Sequence, residues 1–195
     1  MRGITAQTEK ISQVAAWFSG GLLFLASILI AVEVIARKVF SYSIGGADEL
    51  SSYVLAISCT WGFSYALFRK THIRIDVFYS RMPKPARHTL DILAHVLLGG
   101  YLIILCYFAF FVVKTSVVKH SAANTPLATP LWIPQSIWLA GLIWFGFSIA
   151  VLLFGTLYFR AKGQEREADQ LLGIATLEEE IQESAELNAG SGETK

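Results

Sequence analysis

Charge is scarce in this chain and unevenly distributed. Asp, Glu, Lys and Arg make up 16% of its 195 residues, whereas hydrophobic residues make up 54%. Four long stretches, residues 14–35, 50–68, 92–113 and 132–159, contain only Glu33 and His95 as acidic, basic or histidine residues. A soluble helix of such length would present a polar face, and these stretches do not along most of their length. The scarcity of charge therefore argues against a soluble domain.

Cysteine and histidine are also few, which argues against redox chemistry. The two cysteines, Cys59 and Cys106, lie in the middle of different apolar stretches, without a local cysteine partner or an activating charge. Haem held between membrane helices usually needs two buried imidazoles, and His95 is the one histidine within a stretch. We therefore expect no catalytic residue, no metal site, no cofactor bound by this chain and no enzymatic activity.

The four stretches are each long enough to cross a membrane, because a hydrocarbon core about 30 Å thick requires roughly 20 apolar residues in a helix. The sequence predicts an all-α integral membrane protein with four transmembrane helices. The first stretch is too long for a signal peptide, and Arg37 and Lys38 follow it without a clear small-residue cleavage site. We expect a four-helix membrane domain over residues 1–160 and an acidic cytoplasmic tail over 161–195, partly helical and then disordered.

The positive charges predict the orientation. Four spans place both termini and the loop between the second and third spans on one side, and this side holds twelve of the sixteen Lys and Arg residues. Because positive residues are retained on the cytoplasmic side, both termini are expected in the cytoplasm. The loop around residues 69–91 can form an amphipathic segment on the inner leaflet, with Ile75, Phe78, Tyr79 and Met82 on one face.

Several polar residues near the predicted spans are candidates for structural or interface roles. Glu33 precedes Arg37 by four positions, the favourable order for an ion pair on a helix. Asp48 and Glu49 begin the second span, where carboxylates suit the helix dipole. His72 and Asp76 share the same i to i+4 spacing in the central loop and can hydrogen-bond to each other.

The chain lacks the features of a transport core. Such cores use broken helices, repeats and several polar groups near the midplane, whereas the four stretches are uninterrupted and nearly uncharged. Glycines at 20, 21, 99, 100, 141 and 146 permit close approach between helices, either within the chain or with another protein. We expect that the chain does not transport a solute alone.

Several short motifs, taken in order, resemble one family of membrane proteins. They include Arg37 and Phe40, the sequence DELSSY at 48–53, Trp61, HIRID at 72–76 and TPLWIP at 129–134. In this order and spacing they resemble the small membrane subunit, of the DctQ type, of tripartite ATP-independent periplasmic (TRAP) transporters. The resemblance covers roughly residues 10–160.

The resemblance implies a three-part uptake system in the bacterial inner membrane. In such a system a periplasmic binding protein captures an organic acid and a large multi-span subunit moves it with a sodium gradient. The small subunit supports the large one, and its partners are those two proteins and the bilayer, with no nucleic acid. Arg37, Asp48, Glu49 and Trp61 are carried over as candidates for assembly or docking, and His72 with Asp76 as the motif of the cytoplasmic loop.

Two other functions stay open from the sequence. A membrane anchor for a redox enzyme would carry haem or quinone, and a self-sufficient small transporter would move solute alone. The transported substrate is not indicated by this chain, because the resemblance places specificity in the other two components.

Overall fold

The computed structural model describes residues 2–43, 45–69, 83–164 and 171, and four α-helices account for nearly all of them. They are α1 (Arg2–Phe40), α2 (Ala47–Phe68), α3 (Lys84–Val118) and α4 (Trp132–Ala161). An isolated bridge between Ala122 and Pro130 is the one β-type pairing in the described part. The predicted all-α class is confirmed.

The helices extend beyond the apolar stretches that predicted them. The helix α1 begins at Arg2 rather than at residue 14 and is 39 residues long, which corresponds to about 58 Å. The helix α3 begins at Lys84 rather than at residue 92. Lys, Arg, Glu and Gln are good helix formers, so a helix does not stop where its lipid-compatible part stops. The charged residues mark the predicted edge of the membrane, and the helices continue beyond them.

Three of the four helices, α1, α3 and α4, are long and apolar enough to cross a membrane by length and composition. The helix α2 is the shortest of the four and carries many Ser, Thr, Tyr and Trp residues. Three of its polar residues, Ser58, Thr60 and Ser64, are buried within the chain. Burial of these side chains against other helices explains why α2 differs in composition from its neighbours.

The packing order differs from the order along the chain. The helix α1 packs on α2, α2 packs on α4, and α4 packs on α3, with a smaller contact between α1 and α4. The helix α4 thus touches all three others. The hydrophobic core lies along it and consists of Leu67, Leu102, Ala109, Leu142, Phe145, Ile149 and Leu152.

Glycine permits the closest approach between α2 and α4. A Cβ atom at Gly141 would lie 2.6 Å from Thr60 Oγ1 and 2.9 Å from Trp61 Cδ1. In contrast, a Cβ atom at Gly20, Gly21 or Gly100 would meet no described atom within 4 Å. The glycines singled out by the sequence therefore divide into those that serve internal packing and those that face outward.

Side-chain hydrogen bonds join neighbouring helices in the described part of the chain. The Ser58 hydroxyl donates to the Ser19 carbonyl at 3.0 Å and so links α2 to α1. The Trp144 indole N–H donates to Ser12 Oγ at 3.1 Å and links α4 to α1. The Trp61 indole N–H, which links α2 to α4, is described below. Hydroxyl and indole groups that bond across helices are typical of membrane helix packing.

Some sequence predictions lie outside the described residues. These are the amphipathic segment of the central loop, the His72 and Asp76 pair, and nearly all of the acidic tail. They remain predictions.

Candidate assembly site at the Glu49 end of the helices

The polar residues predicted on both sides of the first loop lie at one end of the helices, which we call the Glu49 end. It consists of the last turns of α1, the loop to α2, the first turn of α2, and residues 119–131 between α3 and α4. The chain returns from α1 through Ser41, whose φ of 51° lies in the left-handed region that often ends a helix.

Glu33 is the buried acid of this end. Its carboxylate Oε1 accepts a hydrogen bond from Arg37 Nη2 at 2.6 Å and one from the Ser43 hydroxyl at 2.7 Å. The Glu33 side chain is 2% exposed, whereas that of Arg37 is 56% exposed. The pair is therefore asymmetric, because the acid is enclosed by the chain and the base faces outward. The Ser43 contact ties the loop after α1 back onto the helix.

Arg37 also faces Asp48 across the loop. Its Nη2 lies 3.9 Å from Asp48 Oδ2, and the Asp48 side chain is 84% exposed. An exposed contact of this length contributes little to stability. Arg37 and Asp48 together present two opposite charges on the surface, next to exposed Lys38.

Glu49 joins α2 to the loop between α3 and α4. Its carboxylate accepts hydrogen bonds from the hydroxyl of Tyr53, at 2.9 Å, and from that of Thr125. The hydrogen bond from Thr125 lowers the pKa of Glu49 most, followed by that from the Thr129 side chain, with further contributions from Tyr53 and the Thr129 backbone N–H. Glu49 is buried. An ionised carboxylate with this number of donors fixes the loop on the first turn of α2.

The loop between α3 and α4 folds as a small hairpin over that turn. Ala123 N–H donates to the Thr129 carbonyl and Leu131 N–H donates to the Ser121 carbonyl, each at 3.0 Å. At its tip, Leu127 packs on Gly46, where a Cβ atom would overlap Leu127 Cδ1. Gly46 has a φ of 120°, a conformation that favours glycine. Glycine at this position thus permits both the turn into α2 and the close approach of the hairpin.

Trp61 lies away from this end, within the helices. Its indole N–H donates to the Ile137 carbonyl at 3.2 Å, and its ring lies next to Gly141. The structure therefore places Trp61 in the packing between α2 and α4. Of the seven sequence candidates, Glu33, Arg37, Asp48 and Glu49 are brought together at one end, Trp61 is separate, and His72 and Asp76 lie outside the described residues.

Sequence reasoning missed four residues of this end: Ser43, Tyr53, Thr125 and Thr129. Tyr53 follows Glu49 by four positions on one helix, so the spacing rule that found Glu33 and Arg37 also applies to this pair. The two threonines are 76 and 80 residues from Glu49, and nothing local in the sequence marks them as its partners.

The Glu49 end presents exposed charges of both signs. Within the described residues, no group of three or more His, Cys, Asp or Glu residues has the arrangement of a metal site. The carboxylates of Glu33 and Glu49 are engaged in internal hydrogen bonds, while Arg37, Lys38, Asp48 and Lys119 are exposed. An ordered surface with charges of both signs is suited to steering and docking a charged protein.

Comparison with known proteins gives one family match. The family model described as tripartite ATP-independent periplasmic transporters, DctQ component, matches residues 26–159, a segment that begins within α1 and ends in the last turn of α4. No curated protein matches the chain.

Proposed function

The chain belongs to the family of DctQ components of tripartite ATP-independent periplasmic transporters, and on this premise we propose that it is a four-span subunit that supports the large transport subunit in the bacterial inner membrane. The family resemblance found in the sequence is confirmed, and the chain is a transmembrane component of a transport system with partner components. The family is one of transporter components and not of enzymes.

Four spans are supported by the spacing of charges along the helices. In α1, residues 11–32 separate Lys10 from Glu33, and in α2, residues 50–68 separate Glu49 from Arg69. These uncharged segments measure about 33 and 28 Å in a helix, close to a hydrocarbon core of about 30 Å. The helix α2 fits as a span because its polar side chains Ser58, Thr60 and Ser64 are buried within the chain.

The distribution of Lys and Arg supports an orientation with the Glu49 end in the periplasm and both termini in the cytoplasm. This can be tested with single cysteines, at Lys119→Cys for the Glu49 end and at Gln164→Cys for the other end. Cys59 and Cys106 would first be replaced by alanine. A membrane-impermeant maleimide should label the first variant in intact spheroplasts and the second only after lysis. The reverse labelling would contradict the proposed orientation.

A supporting role, rather than transport by the chain itself, is favoured by the position of its charges. The charged residues of the described helices lie near their ends, and the α-helices run without interruption through the apolar region. Substrate and ion sites in secondary transporters are formed by broken helices near the midplane. We therefore place the substrate path and its use of a sodium gradient in the large subunit. This chain would provide a rigid support beside that subunit.

The two proposed partners would use different surfaces. The large subunit would pack on the apolar faces of the helices, where Trp17, Phe24, Leu97 and Tyr101 are among the exposed side chains. The periplasmic binding protein, which would deliver an organic acid, would approach the Glu49 end. The exposed charges of Arg37 and Asp48 are the groups that this partner would meet first.

Purification of the tagged full-length chain in a mild detergent tests the proposal. We expect a large multi-span protein to co-purify in nearly equal amount. A homogeneous complex of this chain alone that conducts solute after reconstitution would contradict the supporting role. A haem Soret band in the purified sample would favour the anchor of a redox enzyme instead.

A further inference from the structure

An apolar cleft opens on the side of α1 that faces α2 and α4. Its volume is about 650 Å³, within the range of small-molecule sites in proteins. Most of its wall is one face of α1, and α2 and α4 contribute Ile57, Trp61 and Ile137. The α1 residues that line it are Lys10, Ile11, Val14, Ala15, Phe18, Ser19 and Leu22.

The cleft has one charged residue, and it lies at one end. Lys10 is the lining residue closest to the start of α1, while the remaining wall is almost entirely aliphatic and aromatic. Residues 11–32 of α1 carry no charge and extend for about 33 Å, so Lys10 and Glu33 mark the two edges of the hydrocarbon region. Lys10 is exposed, and its place at the end of this uncharged segment puts it at the depth of lipid headgroups.

The length of the cleft matches one leaflet of a bilayer. From Lys10 to Leu22 the helix rises by about 18 Å, whereas half of the hydrocarbon core is about 15 Å thick. A transmembrane helix of a partner protein would use the full thickness and would not stop at Leu22. An acyl chain that enters from the headgroup level ends near the midplane, as the cleft does.

We propose that this cleft binds a single phospholipid of the leaflet on the Lys10 side, with an acyl chain along Val14, Phe18 and Leu22 and with its phosphate next to the Lys10 ammonium. The charges are complementary, and the long Lys10 side chain can extend its ammonium to the interface while its methylene groups stay on the apolar wall. The identification of this leaflet as the cytoplasmic one rests on the proposed function, but the lipid site itself does not.

The site can be tested by the lipid that the full-length chain retains. The purified protein would be delipidated in detergent, exposed to phosphatidylglycerol or to diacylglycerol with the same acyl chains, and examined by native mass spectrometry. We expect one bound phosphatidylglycerol per chain and weaker retention of diacylglycerol, which lacks the phosphate. Lys10→Ala should weaken phosphatidylglycerol binding by about fivefold, the effect of one basic residue near an anionic lipid.

Two matched controls distinguish the cleft from the rest of the helix. Lys38→Ala removes an exposed cation from the other end of α1 and should leave binding unchanged. Ala15→Phe would fill the cleft and should displace the lipid, whereas Ala31→Phe adds the same ring at an exposed position of α1 outside the cleft. Circular dichroism and a single elution peak would show that each variant is folded.

Several outcomes would overturn the site. Equal retention of the two lipids, or binding that survives both Lys10→Ala and Ala15→Phe, would contradict it. If Ala15→Phe leaves lipid binding intact but abolishes co-purification of the large multi-span protein, the cleft is a protein interface. If no large multi-span protein co-purifies with the unmodified chain while the lipid is retained as expected, the proposed function fails and the lipid site stands.

Discussion

Glu33 is enclosed by the protein while Arg37, which donates a hydrogen bond to it at 2.6 Å, is more than half exposed. Burial of a carboxylate is costly unless it is paired and hydrogen-bonded. Arg37 and Ser43 supply hydrogen bonds to Glu33 at the end of α1. Through Ser43, the buried carboxylate ties the loop that follows α1 back onto the helix.

Replacement of Arg37 by alanine should destabilise the chain because it removes a charged donor from a buried acid. We expect a lower temperature of unfolding, because the buried Glu33 carboxylate loses a charged hydrogen-bond donor. Thermal unfolding in detergent would measure it. Lys38→Ala, which removes the neighbouring exposed cation, is the control and should have little effect. Equal stability of the two variants would show that the pair contributes nothing.

Acid should release the hairpin from α2. The hydrogen bond from Thr125, followed by that from Thr129, lowers the pKa of Glu49 below its ordinary value of 4.5. A group whose pKa is lowered in the folded state contributes stability above its unfolded pKa and loses it as the pH falls through the lowered value. The contribution should thus be complete above pH 4.5 and be lost progressively as the pH falls from there through the lowered pKa. Hydrogen exchange at the Ala123 and Leu131 amides would report the release.

Glu49→Gln removes the negative charge of this contact but keeps the size and shape of the side chain. The variant should show faster exchange of the hairpin amides already at neutral pH and should lose most of the acid dependence. Asp48→Asn alters the adjacent exposed carboxylate and should keep the acid dependence of the parent chain. An unchanged acid response in Glu49→Gln would assign the release to another group.

Two glycine substitutions should have opposite effects on stability. Gly141→Ala places a methyl group against Thr60 and the Trp61 ring, and overpacking of this kind typically costs about 1–3 kcal/mol. Gly100→Ala meets no described atom within 4 Å and should stabilise α3 by about 0.5–1 kcal/mol, because alanine loses less entropy in a helix. Unfolding of both variants in the same detergent gives the comparison, and a loss of stability in Gly100→Ala would contradict the open surface there.

Trp61→Phe should loosen the contact between α2 and α4. The substitution removes the hydrogen bond to the Ile137 carbonyl, and we expect a loss of about 0.5–1.5 kcal/mol. Trp17→Phe changes the same side chain at a position that is 76% exposed and should be nearly neutral in the isolated chain. Thermal unfolding of the two variants would measure the difference in stability. Equal destabilisation would show that the indole hydrogen bond does not account for the effect of Trp61→Phe.

The sequence predicted local relationships well and long-range ones poorly. The four-residue spacing of Glu33 and Arg37 anticipated their contact, because helix geometry alone brings such residues together. The low charge of each apolar stretch indicated a membrane-spanning segment but not where α1 begins, since helix formation continues through polar residues. The contacts of Glu49 with Thr125 and of Trp61 with Ile137 depend on the packing order of the helices, which hydrophobic pattern does not encode.

The central place of α4 has a consequence for how the chain is made. The helices α1 and α2 adjoin in sequence and pack on each other, so this pair can form as soon as both have entered the membrane. The helix α3 packs mainly on α4, which follows it in the chain. Until α4 has entered the membrane, α3 must stay in lipid without its main contact. The core along Leu142, Phe145 and Ile149 can therefore assemble only after α4 is inserted.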